Sequence, residues 1–221
     1  MYKIALDGPS GSGKSVMAKA VAKKLNILYV DTGALYRAIG LFMYRNGVDV
    51  ADKAAVVANL KNVDVKLSQS EEGQVVYLNG ENVNKDIRLP EISMYASGVS
   101  SIPEVRAFLL ELQRDAAKTN NVIMDGRDIG TVIFPDAEVK IFLFARDEVR
   151  AKRRYLELKE KGIDTTLEEV LNDMQRRDEN DRTRAIAPAV PAEDAVMLDS
   201  SELNIDQTID AIIDIIEKRI K

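Results

Sequence analysis

A glycine-rich loop near the amino terminus constrains this chain more than any other feature. The pattern G-x-x-x-x-G-K-[ST] is matched at every fixed position by Gly8, Pro9, Ser10, Gly11, Ser12, Gly13, Lys14 and Ser15. An apolar run at 3–6 predicts a strand before the loop, and the spacing of apolar residues over 14–25 predicts a helix after it. In this context backbone N–H groups and the helix dipole bind phosphate, Lys14 reaches the β and γ phosphates, and Ser15 can ligate Mg²⁺. The alternative, a glycine-rich turn with a chance lysine, is disfavoured by the two flanking elements.

Composition limits the chemistry that the chain can perform. Its 221 residues include no cysteine and no histidine, which excludes disulfides and zinc–sulfur sites and removes the commonest general base. No apolar run approaches the roughly 20 residues that span a bilayer. The run at 4–6 is too short for the core of a signal peptide, so we expect a cytoplasmic protein. The formal net charge of -5 argues against sequence-independent binding to nucleic acid.

The order of predicted elements is that of an α/β fold. Further strands are predicted at 27–30, 122–125, 139–144 and 195–198, and further helices at 32–45, 52–60, 90–99, 103–118, 148–161, 167–178 and 205–220. The runs at 122–125 and 139–144 are largely apolar throughout, as in central parallel strands that are covered on both faces. Residues 63–88 alternate in polarity and contain the turn signal Asn79-Gly80, so we predict a small antiparallel insert there.

Two arginines follow predicted strand ends and are candidates for binding a second phosphate. Arg37 ends the segment D-T-G-A-L-Y-R, which begins at Asp31, and Arg127 lies in the segment D-G-R-D, which begins at Asp125. Ligands of open α/β sheets lie at the carboxyl ends of the strands, and the planar guanidinium fork suits a phosphate. Either arginine could instead be a surface cap or part of a solvated ion pair.

A cluster of charged residues at 176–184 predicts a mobile lid. It reads R-R-D-E-N-D-R-T-R, and Arg150, Arg153 and Arg154 precede it on a predicted basic helix. Phosphoryl transfer needs groups that close over the transferring phosphate, neutralise its oxygens and exclude water. The alternative is a solvated helix surface in which Arg177 pairs with Asp181.

Together these motifs resemble the bacterial-type cytidylate kinases over essentially the whole chain. The resemblance is carried by the glycine-rich loop, by D-T-G-A-L-Y-R, by D-G-R-D-I-G-T-V-I-F-P-D-A at 125–137, by R-R-D-x-x-D-x-x-R at 176–184 and by L-D-S near Asp199. It implies the P-loop nucleoside monophosphate kinase fold, an α/β fold with a five-stranded parallel sheet flanked by helices and a small antiparallel insert. It also implies a single kinase domain over 1–221, with a monophosphate-binding region at 32–118 that includes the insert at 63–88, and a lid region at 150–188.

The resemblance further implies an activity, which is the phosphorylation of CMP and dCMP by ATP with Mg²⁺. The loop at 8–15 would bind ATP, and the metal would be held by Ser15 and, through water, by Asp125. Catalytic roles are implied for Lys14, Arg127, Arg153 and Arg177. We expect a monomer that binds these nucleotides and neither nucleic acid nor membranes.

The residues that the resemblance places around CMP fall into three groups. Thr32, Arg37 and Arg127 would meet its phosphate. The base would be surrounded by Ser97, Arg106, Asp128 and Arg184, and the ribose side would be met by Arg177 and Asp181.

Three other functions are weighed against this one. A P-loop kinase for UMP, AMP, a nucleoside or shikimate would differ only in its acceptor, which an activity panel identifies. A GTP-binding switch would carry the base-reading pattern N-K-x-D, and Asn84-Lys85-Asp86-Ile87 fails it at the last position. A nucleotide-dependent protein that binds nucleic acid is disfavoured by the acidic balance of charge.

Overall fold

The computed structural model describes residues 1–70 and 73–220; Glu71 and Glu72, which fall in the predicted insert, and Lys221 lie outside the described residues. The strands are β1 (Lys3–Asp7), β2 (Leu28–Asp31), β3 (Val65–Ser70), β4 (Gly73–Leu78), β5 (Glu81–Asn82), β6 (Val122–Gly126), β7 (Val139–Phe144) and β8 (Val196–Asp199). The helices are α1 (Lys14–Leu25), α2 (Thr32–Arg45), α3 (Lys53–Asn59), α4 (Pro90–Ser100), α5 (Pro103–Asp115), α6 (Asp147–Glu160), α7 (Leu167–Thr183) and α8 (Ile205–Arg219). Short turns of 3₁₀ helix lie at Leu60–Asn62 and Asp86–Arg88, and a π-helical turn lies at Ile129–Ile133.

A five-stranded sheet in the order β2-β6-β1-β7-β8 confirms the predicted fold class. β1 pairs in parallel with β6 on one side and with β7 on the other. In the first of these pairs Asp7 lies opposite Gly126. The loops that follow β1 and β6 therefore leave the same edge of the sheet side by side, where ligands of such folds bind.

The insert is a three-stranded antiparallel sheet in the order β3-β4-β5, as predicted. Asn79 and Gly80 both have positive φ, 49° and 84°, which matches the hairpin turn that the sequence indicates. On its inner face Val65, Val76 and Leu78 pack into a core with the buried residues of α2. This packing fixes the register of the small sheet, because a slip of one residue would turn its apolar side chains outward.

The chain forms two compact units. The first unit comprises residues 1–28 and 120–221, and the second comprises residues 29–119. α8 closes the first unit through its buried residues Ile209, Ile212 and Ile216. Among the described residues, the structure contains no helix that is both long enough and apolar enough to cross a membrane.

The predicted end of the charged helix at residue 178 is wrong, because α7 continues to Thr183. It begins with a capping box formed by Thr166 and Glu169. Beyond residue 178, Arg182 pairs with Glu179 within one helical turn, and the chain reaches no proline until Pro188. The helix therefore extends into the predicted lid motif and fixes the spacing of its charged side chains.

Candidate active site

The glycine-rich loop, which we call the phosphate loop (residues 8–15), connects β1 to α1 in the first unit. A Cβ atom on Gly8 would lie 2.1 Å from the backbone oxygen of Leu143, so only glycine fits there. Gly11 has a φ of +67°, in the left-handed region that glycine adopts without strain. The motif thus needs glycine at position 8 because the backbone of Leu143 packs closely there, and at position 11 because the backbone is left-handed.

The interior of the phosphate loop is prepared for an anion. Lys14 is buried, and its Nζ donates to the carbonyl oxygen of Pro9 at 3.1 Å. Burial, together with the nearby positive charge of Arg127, lowers the pKa of Lys14 to about 7. Within residues 1–70 and 73–220, no hydrogen-bond partner is present for the buried hydroxyl of Ser12. A bound phosphate would supply both a counter-charge for the lysine and an acceptor for the hydroxyl.

The two predicted metal contacts are brought together at the start of α1. The hydroxyl of Ser15 donates to Oδ2 of Asp125, at the end of β6, over 2.6 Å. Mg²⁺ prefers oxygen ligands and keeps several waters, so one or two protein oxygens beside substrate phosphates are enough to hold it. Over the part of the chain that the structure describes, no cluster of three or more acidic, histidine or cysteine residues could hold a metal ion. The pair of Ser15 and Asp125 therefore fits Mg²⁺ that is bound jointly with a nucleotide.

Four of the predicted acceptor-binding residues form one ion-pair network in the first unit, which we call the Arg127 network. Nε of Arg127 donates to Oδ2 of Asp181 at 2.9 Å. Arg184 lies 3.8 Å from the other oxygen of Asp181 and donates to Oδ1 of Asp128 at 3.4 Å. The network joins the turn after β6 to the end of α7, so the two sequence motifs form one site within this unit.

Arg177, one turn before Asp181 on α7, places a second positive charge near Arg127. Burial, and after it the charge of Arg127, lowers the pKa of Arg177. Two cations held close together are stabilised by an anion that interacts with both. A cavity of about 450 Å³ in this unit is lined by Arg127 and Asp181 and by Pro9 of the phosphate loop. Its size is that of a small-ligand site.

Arg153, predicted as a lid arginine, has other partners. Its Nη2 donates to the carbonyl oxygen of Ser200 at 2.7 Å and to that of Leu203 at 3.4 Å. Among the described contacts, no hydrogen bond or ion pair joins Arg153 to the Arg127 network. In this conformation the side chain holds the segment after β8 against α6.

In the second unit, the first turns of α2 carry Thr32 and Arg37. Thr32 is buried, and the carboxylate of Asp31 caps the helix by accepting from the N–H of Ala34 at 3.0 Å. Nη1 of Arg37 donates to the carbonyl oxygen of Ile87 at 3.1 Å and to the hydroxyl of Ser93 at 3.0 Å. These bonds hold one edge of the guanidinium in place, so the arginine is oriented before any ligand arrives.

The other two predicted residues of this unit lie on α4 and α5. Arg106 is buried, stacks on the ring of Tyr36 at 5.5 Å from its centroid, and donates to the carbonyl oxygen of Ser100 at 3.2 Å. Ser97 is half-buried, and its carbonyl oxygen accepts from the Ser100 hydroxyl at 2.9 Å. Ser100 thus connects the two predicted base contacts.

The family is decided by comparison with known proteins. The family model described as cytidylate kinase matches residues 4–218. The chain belongs to the cytidylate kinase family. It is therefore a kinase, a phosphotransferase with a phosphate group as acceptor, which confirms the predicted enzyme class.

The relatives of this cytidylate kinase family member span its whole length. The cytidylate kinase of Caldicellulosiruptor saccharolyticus is 48% identical over 97% of this chain and 95% of its own length. That of Caldicellulosiruptor bescii is 46% identical over 99% of this chain and 96% of its own. An uncharacterized protein from Eubacterium ventriosum has a crystal structure with a TM-score of 0.52 at 15% identity, covering 99% of this chain and 100% of its own. That last likeness shows the fold alone.

Sequence reasoning missed the residues that hold the motifs of this kinase in place. In the second unit, Gln74 of the insert accepts from the N–H of Asp31 at 2.9 Å and donates to its carbonyl oxygen at 3.2 Å. Nη2 of Arg88 donates to the carboxylate of Asp31 at 2.7 Å. The insert therefore helps to fix the start of α2, and only the neighbouring D-T-G motif hints at this role.

In the first unit the missed residue is Asp7, the last residue of β1. Its two carboxylate oxygens accept from the N–H groups of Ile129 and Gly130, each at 2.8 Å. Burial raises the pKa of Asp7 to about 6, although these two hydrogen bonds act to lower it. Asp7 thus fixes the turn that carries Arg127 and Asp128.

Proposed function

We propose that this kinase transfers the terminal phosphoryl group of ATP to CMP and dCMP. The observation that carries the proposal is the presence, in one unit, of the prepared phosphate loop and of Arg127 close to Arg177. The loop supplies a site for the phosphates of a donor, and the two arginines supply charge for the phosphoryl group in transfer. The resemblance of the motifs and the names of the relatives point to CMP as acceptor.

On the donor side, the loop at 8–15 is proposed to bind the phosphates of ATP. Mg²⁺, when bound, neutralises phosphate oxygens, and Ser15 with Asp125, the latter through water, would hold it. Lys14 would move its hydrogen bond from the Pro9 carbonyl to the β and γ phosphates. Catalytic roles for Lys14, Arg127, Arg153 and Arg177 are part of this proposal, and Arg153 would first have to release the segment after β8.

On the acceptor side, Thr32, Arg37 and Arg127 are proposed to contact the CMP phosphate. That phosphate is already ionised at neutral pH, so the reaction needs no strong general base. An acceptor oxygen forms a bond to the γ-phosphorus while the bond to the β,γ-bridging oxygen breaks, and ADP leaves with that electron pair. A chain without histidine or cysteine can perform such chemistry by positioning and charge.

Selection of the base is proposed for Ser97, Arg106, Asp128 and Arg184, with Arg177 and Asp181 on the ribose side. Cytosine offers a donor at its 4-amino group and acceptors at N3 and O2, whereas uracil has an acceptor at O4 and a donor at N3. A carboxylate such as that of Asp128 suits the amino group, and arginine donors suit N3 and O2. Each buried mismatch costs roughly 1 to 3 kcal/mol, so two mismatches give at least about 30-fold preference for CMP.

The organisation of the chain completes the proposal. We assign one kinase domain to 1–221, a monophosphate-binding region to 32–118 with its insert at 63–88, and a lid region to 150–188. We also propose that the protein acts as a monomer, which size-exclusion chromatography with light scattering tests directly.

The deciding experiment is a coupled assay of ADP release with ATP and each candidate acceptor in turn. We expect turnover with CMP and dCMP, at least about 30-fold lower kcat/KM with UMP, and loss of activity when EDTA removes Mg²⁺. AMP, a nucleoside and shikimate serve as controls for the rival acceptors. Faster turnover of any of these than of CMP would contradict the proposal.

A further inference from the structure

Arg150, on α6, is a buried cation in contact with the phosphate loop. Only 4% of the residue is exposed. Its guanidinium donates to the carbonyl oxygens of Ala145, at 3.0 Å, and of Ser10, and to the carboxylates of Asp147 and Asp178, each at 2.6 Å. A buried charge with this many partners is held in one orientation.

Ser10 is held at both of its backbone polar groups. Its N–H donates to Oδ1 of Asp178 at 2.7 Å, and its carbonyl oxygen accepts from Arg150. Arg150 and Asp178 also bond to each other, which closes a ring of three interactions. The peptide groups on either side of Ser10 therefore cannot rotate without breaking a charge-assisted bond.

This contact sets the direction of the next amide. A trans peptide group is planar, so the N–H of Gly11 points opposite to the carbonyl of Ser10 and away from Arg150. Among residues 1–70 and 73–220, no backbone or side-chain acceptor is present for the Gly11 N–H. The next residue is Ser12, whose buried hydroxyl also lacks a partner within the same described residues. The Gly11 N–H and the Ser12 hydroxyl are thus two neighbouring hydrogen-bond donors that the acceptor atoms of a ligand would satisfy.

We infer that Arg150 is a positioning residue for the phosphate donor: by holding the Ser10 carbonyl, it aims the Gly11 amide at the bound phosphates. The inference rests on the proposed function and adds to it a residue outside the phosphate loop. A reversed peptide group at this point would place a carbonyl oxygen toward the anion, so an unfixed loop would bind phosphate poorly. Arg150 needs no contact with substrate to have this effect.

The packing of α6 and α7 explains why an arginine can reach the loop here. Met174 of α7 belongs to a small core with Ala151 and Val170. A Cβ atom on Gly11 would lie 2.7 Å from Cε of Met174 and 3.6 Å from Cβ of Arg150. Both helices therefore pack directly on the tip of the loop, although a Cβ at position 11 would only require the flexible end of Met174 to shift.

The test compares wild type with Arg150→Lys, which keeps the charge but loses the planar fork. We would measure, by calorimetry, the dissociation constants of the β,γ-imido analogue of ATP with Mg²⁺ and of CMP. The dissociation constant of the analogue should rise by about tenfold or more, as expected for the loss of one hydrogen bond to a charged group. The dissociation constant of CMP should change by no more than about twofold. Lys161→Met, which removes an exposed ion pair at the end of the same helix, is the control and should change neither.

A structural readout separates positioning from stability. In ¹⁵N-labelled wild type, the Gly11 amide resonance should move downfield when the analogue binds, and this shift should be lost in Arg150→Lys. If circular dichroism shows that Arg150→Lys does not fold, Asp147→Ala is measured in its place. This substitution removes one ion-pair partner of the Arg150 guanidinium at a partly exposed site and leaves the Ser10 contact. Asp147→Ala should weaken binding of the analogue by about threefold, which corresponds to a fraction of the free energy of one such hydrogen bond.

Three outcomes would overturn the inference. The first is an unchanged affinity for the analogue in folded Arg150→Lys or, where that variant does not fold, in folded Asp147→Ala. The second is an equal loss of affinity for the analogue and for CMP. The third is a Gly11 amide resonance that does not shift when the analogue binds to wild type. The proposed function fails separately, if wild type does not phosphorylate CMP. Because binding is measured without turnover, the role of Arg150 is tested in either case.

Discussion

Replacing Asp7 with asparagine tests whether a buried carboxylate fixes the turn that carries Arg127 and Asp128. The substitution keeps the shape of the side chain but turns one of its two acceptors into a donor. That donor would face the N–H of Ile129 or Gly130, which now bond to the carboxylate at 2.8 Å each. The variant should therefore raise the KM for CMP by about tenfold, the cost of one unsatisfied buried group, and leave the KM for ATP within about twofold.

The raised pKa of Asp7 sets both the sign and the magnitude of its contribution to the pH dependence of stability. Burial raises the pKa of Asp7 from 3.8 to about 6; the Gly130 and Ile129 bonds oppose this shift, the charge of Asp128 adds to it, and that of Lys14 opposes it. Between these two values the folded state binds a proton that the unfolded state does not, so lowering the pH stabilises the fold at this site. The full shift corresponds to about 3 kcal/mol, which is a cost at neutral pH that disappears below pH 4.

Urea denaturation at several pH values, from 7.5 down to 4.5, measures this contribution. Other carboxylates titrate in the same range, so the quantity of interest is the difference in unfolding free energy between wild type and Asp7→Asn. That difference should shift in favour of wild type by about 2 kcal/mol as the pH falls to 4.5. Asp136→Asn, at a site 72% exposed, should show no such trend. A flat or opposite trend for Asp7→Asn would refute the raised pKa.

Three further substitutions test other parts of the site. Gly8→Ala places a methyl group 2.1 Å from the Leu143 oxygen, so urea denaturation should show a free energy of unfolding that is lower by about 3 kcal/mol or more. The control is Gly47→Ala, at a site with positive φ and open space, and its free energy of unfolding should fall by only about 1 kcal/mol. Arg127→Lys loses the planar fork and the Nε bond to Asp181, so steady-state kinetics should show a rise of about tenfold in the KM for CMP and little change for ATP. Asp128→Ala should narrow the ratio of kcat/KM for CMP over UMP by about tenfold, and an unchanged ratio would mean that Asp128 does not select the base.

The sequence predicted those features whose causes are local. The phosphate loop is defined by consecutive residues, and its strand and helix follow from the apolar spacing on either side. The insert was predicted because its alternation and the Asn79-Gly80 turn lie within 26 residues of one chain segment. Family resemblance assigned Asp181 and Arg184 to the CMP site, and the structure joins these two residues to Arg127 and Asp128.

The contacts that hold these motifs could not be predicted, because their partners are far apart along the chain. Asp7 and Gly130 are separated by 123 positions, and Arg150 and Ser10 by 140. Each side chain alone looks ordinary, since an aspartate at a strand end or an arginine in a basic helix is common on protein surfaces. Their role becomes visible only when the fold buries them against backbone groups of the loop and the turn.

α7 connects the contacts of the phosphate loop with those of the Arg127 network. Asp178 binds the N–H of Ser10, and one turn later Asp181 binds Arg127. These two side chains lie three positions apart on one helix, so they point to the same side and move together. A displacement of α7 that frees Arg127 from Asp181 would therefore also pull on Ser10 and change the conformation of the phosphate loop. Under the proposed function, in which the phosphate loop binds the donor and Arg127 the acceptor phosphate, the same helix would couple the two binding events, and a break in α7 between residues 178 and 181 should uncouple them.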